Sequence, residues 1–134
     1  MSDNAMTVEV VSPEEVLYSG EATMVITRTI GGGEIAFQPG HAAFLGALQV
    51  CHTRVYLVDG SIEDIAVHGG FVEVSDNKIS ILSDDAELGS LVDVDRARAA
   101  KDRAEERLRH EHDAEAVTAL SRSHARLNAA GINF

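Results

Sequence analysis

Several residue types that support particular folds or chemistries are scarce in this 134-residue chain. It has one cysteine, Cys51, two prolines and no tryptophan, and aromatic residues make up 4% of it. A single cysteine excludes an intrachain disulfide, fits a reducing compartment, and usually packs as a small apolar side chain. With so few aromatic residues, the core must be built mainly from Val, Ile, Leu and Ala.

Long hydrophobic runs and catalytic signatures are also missing. No stretch approaches the roughly 18 apolar residues of a membrane span, and no basic segment followed by an apolar one opens the chain. We therefore expect neither a signal peptide nor direct insertion into a membrane. A nucleophile elbow, a phosphate loop with its lysine and paired CxxC motifs are absent as well, so we do not expect this chain to catalyse a reaction by itself.

Positive charge is scarce in the first two thirds of the chain. Residues 1–90 carry fourteen acidic side chains against three basic ones, whereas residues 91–134 carry eight of each. An acidic surface repels phosphate backbones and anionic lipids, so we expect no nucleic-acid partner. The change in composition predicts two units, at 1–88 and 89–134, with a polar hinge over 83–90.

The first unit has the pattern of antiparallel strands, because its apolar residues come in short β-branched groups separated by turn residues. Asp59-Gly60 and Asp76-Asn77 can supply the positive φ angles of two-residue hairpin turns. This pattern favours a β-sandwich or flattened barrel over a parallel sheet. We predict strands at 8–11, 23–30, 35–37, 54–58, 62–67, 71–74 and 78–82.

The second unit has the composition of helices, because no Gly or Pro occurs from Leu91 to Ala130 and Ala, Arg, Glu and Leu dominate. We predict one helix at about 93–109 and a second that ends at Gly131. Small residues on the first helix would let the two approach closely as an antiparallel hairpin. The predicted facing positions are Ala97, Ala100, Ala104 and Leu108 on the first helix, and Ala114, Val117, Leu120, His124 and Leu127 on the second. The sequence thus predicts an α+β chain, a sandwich followed by a two-helix hairpin.

Four short segments each allow two interpretations. Residues 110–113 contain two histidines that could contact a metal or simply be solvated, and we expect no metal there. Residues 31–33 are three glycines that resemble part of a phosphate loop, but no predicted helix follows, which favours a β-turn. Residues 39–42 form either a rigid contact loop or a tight turn before a strand. Residues 69–70 are two glycines that indicate a bulge or the close approach of another backbone.

Basic residues of the two predicted helices would converge if the hairpin closes. Converging guanidinium groups suit a phosphate, because their fork gives directional, charge-assisted hydrogen bonds. A solvated, salt-bridged surface would have the same composition. The residues concerned are Asp93, Arg96, Arg103, Arg122 and Arg126.

Several segments, taken in order, resemble the epsilon subunits of bacterial F-type ATP synthases. The similarity extends from Val8 to about Leu127. Ala36 and Ala43 depart from the Gly and Pro common in the family, and the region between the helices does not align. The matching segments are Val10-Val11-Ser12, Tyr18-Ser19-Gly20, Gly33-Glu34, Pro39-Gly40-His41-Ala42, Gly69-Gly70-Phe71-Val72-Glu73-Val74 and Val92-Asp93-Val94-Asp95-Arg96-Ala97.

The resemblance implies a non-catalytic rotor subunit of the central stalk that couples a proton-driven c-ring to the catalytic head and can restrain ATP hydrolysis. It implies that the sandwich clasps the gamma subunit and rests on the c-ring, with Glu34 facing the c-ring and His41 near gamma. It also implies that the helices contact the alpha/beta head. The complex would hold the chain at the cytoplasmic face of the bacterial cell membrane, and no cofactor is required.

The resemblance further implies ATP as a regulatory ligand, since some family members bind it in the folded hairpin. In those members a motif that begins with Ile or Leu opens the first helix. Val92 stands in the first place of that motif, and Asp93, Arg96 and Ala97 match the positions that follow. Glu87 and Arg103 fall at the family's spacing. Arg122 and Arg126 would be contributed by the second helix. Two other functions remain compatible with the residues alone: a stand-alone nucleotide-sensing module, and an enzyme whose site a partner completes.

Overall fold

Strands precede helices throughout the computed structural model, which describes residues 4–132. Within that range the strands are β1 (Met6–Val11), β2 (Val16–Thr29), β3 (Gly33–Phe37), β4 (Phe44–Leu57), β5 (Ile62–Ser75), β6 (Lys78–Leu82) and β7 (Ala86–Leu88). A 3-10 turn, Gly89–Leu91, leads to the helices α1 (Val94–His110) and α2 (Ala114–Ala129). The outermost residues of the predicted units, 1–3 and 133–134, lie outside the described range.

The strands form a closed circuit. β1 pairs antiparallel with β2 and parallel with β6, and β6, β5, β4 and β2 are successive antiparallel neighbours. β3 extends the sheet from β2, and β7 pairs with β5. Because the circuit closes, five strands have partners on both sides, which is the arrangement of a flattened barrel. The predicted fold class is confirmed.

The core of the sandwich consists mainly of β-branched side chains, as the scarcity of aromatic residues predicts. β1 buries alternate residues, including Val8 and Val10, and β6 buries Ile79 and Ile81. Phe37 is the largest of the fully buried side chains. Cys51 is buried, and its Sγ lies 3.4 Å from the hydroxyl oxygen of Thr27. It therefore packs within the core, as expected of a lone cysteine.

Both predicted hairpins are present, and the two-residue turn is confirmed at Asp76-Asn77, whereas residues 58–61 form a longer connection in which only Gly60 has a positive φ. Asp76 and Asn77 have φ angles of 50° and 60°, and Gly60 has a φ of 92°. The glycine pair at 69–70 is a close approach and not a bulge, since β4 and β5 keep one register on both sides of it. A Cβ atom on Gly70 would lie 2.0 Å from the carbonyl oxygen of Leu82, so the pairing of β5 with β6 requires glycine here.

β1 and β3 each begin two residues before the predicted strands, and three other strands are much longer than predicted. β4 begins at Phe44, ten residues before the predicted strand, β2 begins at Val16, and β5 continues through the glycine pair. The register of β2 against β4 shifts between Ile26 and Thr29. Such an irregularity interrupts the alternation of apolar and polar residues, which hides the strand from a period-two pattern.

The predicted hinge over 83–90 is wrong in part. β7 occupies residues 86–88 and pairs with β5, and its Ala86 and Leu88 pack against the sandwich core. A Cβ atom on Gly89 would lie 2.1 Å from the carbonyl oxygen of Ala129 at the end of α2. The segment between sandwich and hairpin is therefore closely packed on both.

Side chains cap both helices of the hairpin. The Asp93 carboxylate accepts a hydrogen bond of 3.1 Å from the backbone N–H of Arg96, and Asp113 accepts one of 2.9 Å from that of Glu115. Gly131, with a φ of 80°, follows the end of α2. α2 lies on β4 and β5, and α1 packs along α2. Within residues 4–132, no helix has both the length and the apolar character needed to cross a membrane.

The predicted inner face is right for α1 and partly wrong for α2. Ala97 and Ala104 of α1 are buried, but Val117 of α2 is 43% exposed. α2 buries residues on two sides, because Ala125 and Ala129 pack on Ala66 of the sheet. The prediction assumed one apolar stripe along α2, which does not describe a helix that packs against α1 on one side and the sheet on the other. The buried residues of α2 are Ala116, Ser123, Ala125, Leu127 and Ala129.

Candidate functional site

A cavity of about 410 Å³ opens where the start of α1, the second half of α2 and β7 meet. Its position follows from the short connection between β7 and α1, which places the first turns of α1 beside the end of the sheet. Six of the eight residues predicted to bind ATP line it. The lining residues are Glu87, Leu91, Asp93, Arg96, Ala97, Ala100, Arg103 and Arg126.

Two arginines of the cavity are available to an anion. Arg96, Ala100 and Arg103 are spaced i, i+4 and i+7, so they lie on one face of α1. Arg96 and Arg103 are exposed, and neither forms an ion pair with another residue in the range 4–132. Their guanidinium groups can therefore donate hydrogen bonds to a ligand without first breaking a contact within the protein.

The third arginine connects α2 to the sheet. Arg126 donates a short hydrogen bond from Nε to Oε1 of Glu87, and its Nη2 lies 3.9 Å from Oδ2 of Asp85. Arg126 is 28% exposed. This pair spans the boundary between the hairpin and β7, so the same arginine lines the cavity and anchors α2.

His68 lies directly behind this ion pair and was missed by the sequence analysis. Its side chain is completely buried, its Nε2 is 3.5 Å from Oε1 of Glu87, and neither ring nitrogen has a hydrogen-bond partner among the described residues. Burial lowers the pKa of His68, and the charge of Arg126 lowers it further, while Asp85 and Glu87 act in the opposite direction. The imidazole is therefore neutral near neutral pH. A histidine inside an apolar strand, just before two glycines, was the available signal.

Two predicted site residues lie away from the cavity lining. Arg122 lies beside a separate shallow depression on α2, with Ala114 and Thr118 among its neighbours. Val92 ends the 3-10 turn, where its N–H donates to the carbonyl of Gly89 over 3.3 Å. In the interhelical histidine region, Nε2 of His110 lies 2.9 Å from a carboxylate oxygen of Glu106 on its own helix.

Glu34 and His41, the predicted partner contacts, lie on the sandwich. Glu34 is the second residue of β3, immediately after the triple-glycine turn, and its carboxylate is 3.8 Å from Nη2 of Arg28 and 3.6 Å from Nη2 of Arg54. The ring of His41 packs edge-on against Phe37 at a centroid distance of 4.9 Å. The turn at 39–42 is held in place, because the N–H of Gly40 donates to the Asn77 side chain over 2.7 Å.

Both parts of the chain match described protein domains. Residues 5–89 match the family described as "ATP synthase, Delta/Epsilon chain, beta-sandwich domain", and residues 92–131 match "ATP synthase, Delta/Epsilon chain, long alpha-helix domain". The chain belongs to the ATP synthase Delta/Epsilon chain family. The match follows the order of sandwich and helices seen in the fold.

Individual members of the family are similar to this chain along most of their length. The ATP synthase epsilon chain of Desulfitobacterium hafniense is 48% identical over 127 residues, covering 92% of this chain and 95% of the relative. That of Streptomyces avermitilis is 41% identical over 122 residues, covering 91% and 92%. A chain of the Euglena gracilis mitochondrial ATP synthase has a TM-score of 0.80 at 20% identity, covering 95% and 81%, which shows a shared fold.

Family membership decides between the functions left open by the residues. The prediction of an ATP synthase epsilon subunit is confirmed, and the alternative of a stand-alone nucleotide-sensing module is not supported. The chain is one subunit of a larger complex.

Proposed function

We propose that this chain is a non-catalytic rotor subunit of the central stalk, coupling rotation of the c-ring to the alpha/beta head, and that its helices restrain ATP hydrolysis. The titles of two structures with the same fold name a c-ring, one in the Euglena enzyme and one, at a TM-score of 0.56, as "central stalk/cring" in Tetrahymena thermophila. The observation that carries the proposal is family membership over both domains. The complex would place the chain on the cytoplasmic face of the bacterial cell membrane.

The sandwich supplies two surfaces for fixed partners in this proposal. Ile30, 66% exposed, lies at the glycine turn that precedes Glu34, and this tip would contact the c-ring. Leu45, 70% exposed, follows the turn that contains His41, and this side would contact gamma. Exposed apolar side chains next to a rigid polar turn suit a stable protein contact.

The hairpin supplies the regulatory element, with ATP as its ligand in the 410 Å³ cavity. That volume falls within the roughly 300–1,000 Å³ of small-molecule sites. Arg96 and Arg103, which have no ion pair in the described range, would bind the phosphates, and Arg126 would join them after leaving Glu87. Because the ligand would contact both helices and β7, it would favour the folded hairpin over any extended one.

Titration calorimetry of the full chain with ATP, with and without magnesium, tests the ligand. Arg96→Ala should weaken binding roughly tenfold to a hundredfold, since a charge-assisted hydrogen bond contributes about 1.5–3 kcal/mol. Arg96→Lys should restore little, because an ammonium group cannot form the two-pronged contact. Arg98→Ala is the matched control, an exposed arginine of the same helix outside the cavity. No saturable heat at millimolar ATP, or equal losses in Arg96→Ala and Arg98→Ala, would contradict the site.

Deletion of residues 91–134 tests the rotor proposal separately. We expect the shortened chain to assemble with gamma and to support coupled synthesis, because both proposed contact surfaces lie on the sandwich. Control of ATP hydrolysis should weaken. Assembly is measured by co-purification with the head, and control by the ratio of hydrolysis to synthesis. Failure to assemble with gamma would contradict the proposed contact between the sandwich and gamma, whatever the result of the ATP titration.

A further inference from the structure

The surroundings of His68 form a cluster of metal-ligating side chains outside the proposed rotor contacts. His68, Asp85 and Glu87 each offer one ligand atom, and these three atoms all lie within 4.8 Å of one another. Nε2 of His68 and Oε1 of Glu87 are 3.5 Å apart. Two ligands bound to one tetrahedral zinc ion at 2.0–2.2 Å lie about 3.3–3.6 Å apart, so this pair already has the required spacing.

The state of His68 is what distinguishes this cluster from an ordinary group of acidic residues. Its ring is fully buried, yet neither nitrogen has a hydrogen-bond partner in the described part of the chain. A buried polar group without a partner costs free energy, and the neutral ring that burial favours is the form that binds metals. Nε2 lies 3.5 Å from Oε1 of Glu87, so in the tautomer that carries its proton on Nδ1 the Nε2 lone pair faces the cluster.

Hydrogen bonds to the backbone hold β5, which carries His68, against the segment that carries Asp85. The N–H of His68 donates to the carbonyl of Asp85 over 3.0 Å, and the Ser83 hydroxyl donates to the same oxygen over 3.0 Å. The Asp85 side chain is exposed and forms only a long contact of 3.9 Å with Nη2 of Arg126, so it can turn toward the ring at little cost. Small rotamer changes would therefore bring the third ligand to bonding distance.

We propose that His68, Asp85 and Glu87 form a binding site for a divalent transition-metal ion of the Zn²⁺ type. One imidazole and two carboxylates suit zinc or cobalt better than magnesium or calcium, which prefer all-oxygen ligands. The site would leave a fourth position for water. It shares Glu87 with the proposed ATP cavity, whereas His68 and Asp85 do not line that cavity.

A metal ion at this site would compete with the ion pair between Arg126 and Glu87, which holds α2 on the sheet. Arg126 donates to Oε1 of Glu87, the oxygen that also faces His68. A metal ion bound to that oxygen would repel the guanidinium, which would turn toward the neighbouring cavity. Metal binding thus removes one of the contacts that hold α2 on the sheet and couples the ion to the position of the hairpin.

Zn²⁺ titration of the full chain, followed by calorimetry in a non-chelating buffer, tests the site. His68→Ala should weaken binding at least tenfold, since even the loss of an outer hydrogen-bond partner typically costs about 10–100-fold. Asp85→Asn should also weaken it, and this exposed substitution leaves the core intact. Arg126→Ala should strengthen Zn²⁺ binding, because it removes the competing cation.

The double variant His110→Ala with His112→Ala is the control, because these exposed histidines near the interhelical turn could bind zinc themselves. It should bind Zn²⁺ like the unchanged chain. Co²⁺ added in place of Zn²⁺ should give visible absorption that Asp85→Asn alters. Absence of saturable Zn²⁺ binding below about a millimolar, or unchanged affinity in both His68→Ala and Asp85→Asn, would overturn the site. Loss of binding in the double histidine variant would overturn it too, and weaker binding by Arg126→Ala would overturn the competition.

Discussion

The sandwich and the hairpin bury very different side chains. The sandwich closes its strands into a circuit around Val, Ile, Met and Phe side chains, whereas the buried residues of α1 are two alanines, Ala97 and Ala104. Burial stabilises by about 0.8 kcal/mol per methylene, so alanines contribute little each. The difference teaches that extensive apolar burial holds the sandwich together, whereas little apolar burial on the α1 side holds α1 against α2.

The charges of the two parts also differ. The acidic side chains in excess lie upstream of residue 90, and the hairpin is balanced. Arg126 crosses from the balanced part to the acidic one by binding Glu87 and approaching Asp85. This cross-boundary pair orients α2, while the close contact of Gly89 with Ala129 sets how near it lies.

The largest effect should come from a methyl group added inside the sandwich. Gly70→Ala places Cβ 2.0 Å from the carbonyl of Leu82 at a φ of 119°, so strain of about 1–3 kcal/mol and overpacking of about 1–3 kcal/mol should both lower the free energy of unfolding. Chemical denaturation measures the loss. Gly60→Ala is the control, because it has a positive φ and open space around it. Equal losses in the two variants would show that the close approach is unimportant.

The matched change at the boundary should act on the hairpin alone. Gly89→Ala places Cβ 2.1 Å from the carbonyl of Ala129 and 3.0 Å from that of Asp64, so α2 must move away at a cost of about 1–3 kcal/mol. Hydrogen exchange of the α2 amides should accelerate while that of the sandwich strands stays unchanged. Ser90→Ala, at the exposed neighbouring position, should leave both unchanged. Slow exchange of α2 in Gly89→Ala would contradict the close contact as the determinant of docking.

Removal of the hairpin should have a smaller effect on the sandwich. We predict that a chain ending at Gly89 unfolds cooperatively and loses about 1–2 kcal/mol, since it exposes Ala66 and part of Val50. A chain ending at Asp85 should lose more, because it also lacks β7. Thermal unfolding followed by circular dichroism compares the two. If the longer chain gave no cooperative transition, the division into two units would be wrong.

The smallest effect should come from the ion pair across the boundary. Arg126→Gln should weaken docking of α2 by about 1 kcal/mol or less, because partly exposed ion pairs typically contribute about 0.2–1 kcal/mol. The loss should shrink at high salt. Hydrogen exchange of the α2 amides measures docking, and Arg122→Gln, exposed on the same helix, is the control. A salt-independent loss would indicate that Arg126 acts through packing.

Sequence patterns predicted the fold class and most of the cavity, and they failed where local periodicity was broken. The two-residue turn at Asp76-Asn77 followed from local chemistry, and the closely packed alanines of α1 followed from their spacing. The connection at Asp59-Gly60 is longer than the predicted two-residue turn. The first ten residues of β4 were missed because a register shift interrupts the alternation. Val117 was placed inward because the pattern assumes one neighbour for α2, whereas the helix has two.

The sequence by itself determined the strands with clear alternation, the helices free of Gly and Pro, the charge asymmetry and the family. These depend on neighbours in the chain, which the sequence shows directly. Tertiary structure alone decided that Arg126 reaches Glu87 while Arg122 does not line the cavity, and that His68 lies behind that pair. Such contacts join residues dozens of positions apart, and they depend on how close α2 comes to the sheet, which is set by backbone packing at Gly89.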